Sequence, residues 1–143
     1  MFQSWILDII IMDGSANDLG PKVNGGLWLI VNADGIPRPF STTEVPDSNH
    51  PVWNFPARMI LQFNDVSRSY LYITLCTHGF NGTSVEVLGR SRIGLRALPV
   101  GSPKIFEFPI MHPSNSAQTV LNCRVKATLS SITASYAKPP NAH

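Results

Sequence analysis

Twelve prolines and ten glycines are scattered through 143 residues that are otherwise rich in apolar side chains, and this punctuation decides what the chain can build. Proline removes a backbone donor and glycine weakens the interior of a helix or strand, so neither sits comfortably inside a long regular element. No span approaches the roughly 20 uninterrupted apolar residues of a membrane-crossing helix. The breakers leave short runs of β-branched and aromatic residues, about 10 to 20 residues apart, between clusters of Gly, Pro, Asn, Asp and Ser. That is the pattern of an antiparallel β-sandwich.

The runs predict eight strands, at residues 5–12, 27–32, 39–43, 55–63, 70–76, 88–95, 104–110 and 119–129. In the fifth, Leu71, Ile73 and Leu75 alternate with Tyr70, Tyr72 and Thr74, so one face is buried and one is wet. The longest stretches free of Pro and Gly keep this period of two, whereas an amphipathic helix needs 3.6. Residues 13–21, Asp-Gly-Ser-Ala-Asn-Asp-Leu-Gly-Pro, read as a turn region outside any strand. Asp34-Gly35 reads as a tight turn that uses positive φ. Residues 1–129 form one expected domain, and 130–143 a disordered tail or a linker to further chain.

Composition narrows the function. At 43% hydrophobic and 14% charged, with a formal net charge of +2, the chain has too much to bury to be disordered. A surplus of two cations is no nucleic-acid footprint, so no nucleic-acid partner is expected. The N-terminus lacks a basic region, and Asp8 interrupts the apolar run behind it, unlike a signal peptide. The expected location is cytoplasmic, or peripheral to a membrane or the cytoskeleton. Cys76 and Cys123 lie in apolar stretches and read as reduced, buried thiols. There is no HExxH, CxxC, Gly-x-Ser-x-Gly or phosphate-binding Gly-rich loop. The single hint of an activated thiol is Cys76 two residues from His78. A non-enzyme without cofactor is expected.

Five segments then line up, in order, with a known family. They are Leu7-Asp8-Ile9-Ile10-Ile11-Met12, residues 27–31, Asn49-His50-Pro51-Val52-Trp53-Asn54-Phe55, Leu71-Tyr72-Ile73-Thr74-Leu75, and residues 88–95. Together they resemble a C2 domain, an all-β, eight-stranded Greek-key sandwich. The most specific piece is Pro51-Val52-Trp53-Asn54, similar to the family's Asn-Pro-x-Trp-Asn at the fourth strand, with His50 interposed. The strand order resembles the type II circular permutation.

The resemblance also implies where calcium would bind, and the residues depart from it. Calcium needs some 6 to 8 oxygen ligands, largely carboxylates. Where the family carries Asp-x-Asp after the fifth strand, this chain reads Thr77-His78-Gly79; the first loop keeps Asp13 and Asp18. A calcium-independent domain without bound metal is expected.

Arg90, Arg92 and Arg96 fall at even positions of the sixth strand and form a basic stripe. The resemblance places them near Arg38, in the sheet where lipid-binding relatives carry a basic concave patch. Phe80 stands at the tip of the loop between the fifth and sixth strands, free to insert into a membrane or protein groove or to fold back. Arg124 and Lys126 share a face of the last strand, which the resemblance pairs with the first strand, so a cross-strand pair with Asp8 is expected. The leading expectation is protein–protein docking or scaffolding; the alternative is an anionic membrane surface bound through Arg90, Arg92, Arg96 and the Phe80 loop.

Overall fold

The computed structural model describes residues 3–20, 23–36, 38–63 and 65–132. Its elements are eight strands: β1 (Gln3–Ser15), β2 (Trp28–Ala33), β3 (Phe40–Ser41), β4 (Val52–Phe63), β5 (Tyr70–His78), β6 (Val85–Gly94), β7 (Lys104–His112) and β8 (Asn115–Ser131). Two single 3₁₀ turns, Val66–Arg68 and Leu95–Ala97, join them at one end. The described residues form no helix long and apolar enough to cross a membrane.

All eight strands are antiparallel in one ladder, in the order β3-β2-β5-β6-β7-β8-β1-β4. Between β6 and β7 that ladder narrows to the pair Arg90 with Met111. There it folds into two facing layers, β3-β2-β5-β6 and β7-β8-β1-β4. Each layer turns one set of alternate residues inward. Leu29, Val31, Leu71, Ile73 and Leu75 meet Leu7, Ile9, Ile11, Leu61, Val125 and Leu129, all at most 1% exposed. Each such side chain contributes roughly 1.5–3 kcal/mol by leaving water, so the period of two in the sequence is the core itself.

β1 reaches further than the sequence indicated. Asp13, Gly14 and Ser15, expected in a turn, remain in the strand because β8 pairs with all three and the Gly14 amide donates to the Pro51 carbonyl at 2.9 Å. An irregularity between Ile11 and Asp13 absorbs Met12 and brings Asp13 opposite Arg124. This overturns the expected Asp8 pairing. Asp8 lies opposite Arg58 of β4 and Thr128 of β8. Its carboxylate accepts from Arg58 Nε at 2.7 Å, while Arg124 grips Asp13 at 2.7 and 3.0 Å. Hydrogen bonding first, then opposite charge, holds both guanidiniums above their ordinary range. Pro56 is tolerated in β4 because that strand is a sheet edge.

Asp34-Gly35 does turn the chain after β2, and Gly35 has φ of 90°, which costs glycine little. Beyond the turn β3 shrinks to two residues, so the connection is a loop rather than a tight hairpin. The Asp34 carboxylate accepts from the Tyr70 amide at 2.9 Å and from the Tyr72 hydroxyl, tying β2 to β5. Ser130 and Ser131, assigned to the tail from sequence, complete β8, and the Ile132 amide donates to Ser4. The rest of the expected tail, 133–143, lies outside the described residues.

Candidate docking surface

Strand directions sort the connections into two ends. Loops 16–27, 42–51 and 79–84 and the turn at 113–114 share one end; loops 34–39, 64–69 and 95–103 share the other. The first is the end where calcium binds in the family the sequence resembles.

There, the two positions expected to carry aspartate hold neutral groups. Thr77 is fully buried, and its hydroxyl lies 2.9 Å from the Asn24 carbonyl and 2.8 Å from that of Gly26, while accepting from the Asn24 amide at 3.1 Å. Asn24 Nδ2 donates to the Gly79 carbonyl at 2.8 Å. At Gly79 a Cβ would run into the Ser84 hydroxyl, so a side chain there has no room as the loop stands. Between them His78 Nε2 meets Glu44 Oε1 at 2.8 Å, with its ring tilted against Trp28 at 4.9 Å between centroids. Among the described residues no three His, Cys, Asp or Glu side chains gather in a group that could hold a metal.

Phe80 does not fold back. Asn81 Oδ1 accepts from the Thr83 and Ser84 amides at 3.0 and 3.1 Å, closing the loop on itself and leaving the Phe80 ring fully exposed at 103%. Loops 16–27, 42–51 and 79–84 carry Asp18, Glu44 and Asp47 against one cation, Lys22, which lies outside the described residues.

The arginines lie elsewhere. Arg90 and Arg92 sit on the outer face of β6, opposite Thr74 and Tyr72 of β5. Arg92 places its guanidinium 4.2 Å from the centre of the Tyr70 ring, a cation–π contact that fixes its direction. Arg96 is not on the strand: β6 ends at Gly94, and Arg96 belongs to the 3₁₀ turn Leu95–Ala97. With Arg38 in loop 34–39 it stands at the end opposite Phe80. β6 alone spans ten residues, roughly 30 Å at about 3.3 Å per residue. Among the described residues none of Arg38, Arg90, Arg92 and Arg96 has an ion pair.

Beside Arg90 and Arg92, where β6 and β7 part, runs a cleft of about 510 Å³ lined by Tyr72, Thr74, Ile93, Phe108 and Met111 as well as both arginines. Sequence reasoning found the two arginines but missed this wall. The aromatic residues of β5 were legible as its wet face; their juxtaposition with β7 depends on where the sheet folds, which no local pattern reports.

Both thiols are buried. Burial raises the Cys76 thiol above its usual range, and His78 is engaged with Glu44, so the pair is no activated nucleophile. Cys123 is pushed up to about 12, mainly by burial and further by Asp13 and Glu107. Both cysteines are unpaired.

No family model and no curated protein matches the sequence. Solved structures match the fold. The first of the C2 domains of a plant extended synaptotagmin 1 superposes with a TM-score of 0.71 at 12% identity, covering 88% of this chain and 94% of that one. Human GIVD cytosolic phospholipase A2 gives 0.70 at 16% identity over 90% of this chain, which spans 16% of the enzyme. The calcium-bound pair of C2 domains of extended synaptotagmin 2 gives 0.64 at 16%, covering 89% and 42% of the two chains. This chain has the fold of a C2 domain, an eight-stranded antiparallel β-sandwich in the type II strand order.

Proposed function

We propose that the chain is a non-catalytic, calcium-independent docking module whose ligand is a protein. The observation that carries this reading is the separation of the two halves of the rival membrane site. Phe80 projects from an end whose loops are acidic on balance, while Arg38 and Arg96 stand at the other end. An orientation that drove Phe80 into an anionic bilayer would bring Asp18, Glu44 and Asp47 toward the lipid charge and hold Arg96 away from it. Each basic residue near such a surface is worth roughly 1 kcal/mol, falling off within a Debye length of about 8 Å.

The neutral Thr77–Asn24 stitching supports calcium independence, because it fills with hydrogen bonds the place that carboxylates would need. The membrane reading retains one observation of its own, the full exposure of Phe80. Co-sedimentation with phosphatidylserine vesicles at physiological salt separates the two. The expected result is no more protein in the pellet than with neutral vesicles. Strong binding, lost at high salt or on replacing Arg90, Arg92 and Arg96 with alanine, would establish the membrane instead.

A further inference from the structure

Among the described residues, β6 from Ser91 to Gly94 is paired on its β5 edge only, and β7 from Lys104 to Ile110 on its β8 edge only. The cleft therefore lies between two free strand edges. Free edges accept an added strand, because their backbone donors and acceptors have no partner in the fold. The two edges are not equal. Pro109 removes a donor from β7, and an edge strand places such a proline with its missing N–H turned outward. Along Ser91–Gly94 alternate residues turn their amides away from β5 toward the cleft, and none of the four is a proline, so β6 is the receptive edge.

The side chains around that edge fall into two sets. On the outer face stand Arg90 and Arg92, without an ion pair among the described residues, with Tyr70 orienting Arg92. Toward the cleft are Ile93, Phe108 and Met111. A strand laid along β6 would turn alternate residues to these two environments. Building on the docking reading above, we infer that this cleft binds an extended peptide that alternates acidic and apolar residues, added as a strand to β6 at residues 91–94. Its carboxylates meet Arg92 directly and Arg90 diagonally, and its apolar side chains enter the cleft. The recess also carries Thr74, Ser91, His112 and Ser116, but most of the surface it exposes is hydrocarbon and aromatic, which suits apolar side chains better than a headgroup.

The test uses the whole 143-residue chain and a synthetic peptide of alternating glutamate and valine, with alternating lysine and valine as control. Amide chemical shifts and amide hydrogen exchange report where it binds. The expected result is shift changes centred on residues 90–94 and 111, slowed exchange within 91–94, and no response to the lysine peptide. Arg92→Glu exchanges an attractive cross-strand pair for a repulsive one and is expected to weaken binding roughly tenfold, while Arg92→Lys retains most of it. Three results overturn the inference: shift changes confined to loops 16–27 and 79–84, unchanged exchange at 91–94, or equal binding of both peptides. None of these touches the broader docking reading, which falls separately if phosphatidylserine vesicles are bound through the same arginines.

Discussion

Replacing Trp53 with alanine is expected to destabilise the domain by about 4 kcal/mol, in the range for a buried Trp or Phe truncated in a core. The indole is only 6% exposed, and its Nε1 donates to the Leu27 carbonyl at 3.3 Å. Leu27 in turn exchanges backbone hydrogen bonds with Val45 at 2.8 and 2.9 Å. Trp53 thus pins loop 16–27 to loop 42–51 at the end where the family's calcium loops lie. Urea unfolding should show the loss in midpoint without a change in slope, and amides 24–27 should exchange faster than those of β8. A variant within about 1 kcal/mol of the parent, well below the usual cost of such a truncation, would show that the indole merely covers the sandwich edge. The neighbouring Asn54 gives the control. It is the described non-glycine residue with positive φ, at 46°, a conformation asparagine tolerates and β-branched residues do not. Asn54→Gly should fold normally, and Asn54→Val should not.

The second large effect is at Gly89. A Cβ there would lie 2.7 Å from Ile110 Cγ2 and 2.9 Å from the Met111 carbonyl. One of these obstacles is backbone and cannot rotate aside. Gly89 precedes Arg90, whose pairing with Met111 is the hinge between the layers. Gly89→Val is expected to cost about 3 kcal/mol, the upper range for overpacking a filled core, with β6 pushed away from β7. Gly89→Ala should cost less, since it adds the Cβ alone without the two further methyls of valine. Thermal unfolding of both variants measures the order; equal stability of parent and valine variant would mean that the layers part more easily than their packing implies.

These two sites show unequal legibility in the sequence. Trp53-Asn54 was readable only through its resemblance to the motif at the family's fourth strand; the hydrogen bond of the indole and the positive φ of Asn54 came with the structure. The strands of the core were readable directly, as Leu71, Ile73 and Leu75 declare their face by alternation alone. The role of Gly89 was hidden, since it depends on Ile110 and Met111, about twenty residues away. The Asp13–Arg124 pair was hidden too, because the absorbed Met12 shifts the register after Ile11, and the Asp8–Arg58 pair because it depends on β4 lying along the other edge of β1. Arg96 falls off the stripe because the chain leaves the sheet at Gly94 for a 3₁₀ turn, which even spacing along a strand does not report. The cleft beside Arg90 and Arg92 exists only because β6 and β7 share one ladder pair, a fact of tertiary structure.

Docking without calcium is the property on which the proposed function rests, and a calorimetric titration of calcium chloride into the chain tests it most directly. With Thr77 and Asn24 satisfying each other and Gly79 closed off by Ser84, no saturable heat is expected at sub-millimolar calcium. Saturable sub-millimolar binding would contradict this, by showing that the loops at the Thr77 end rearrange to supply the ligands that hard cations require.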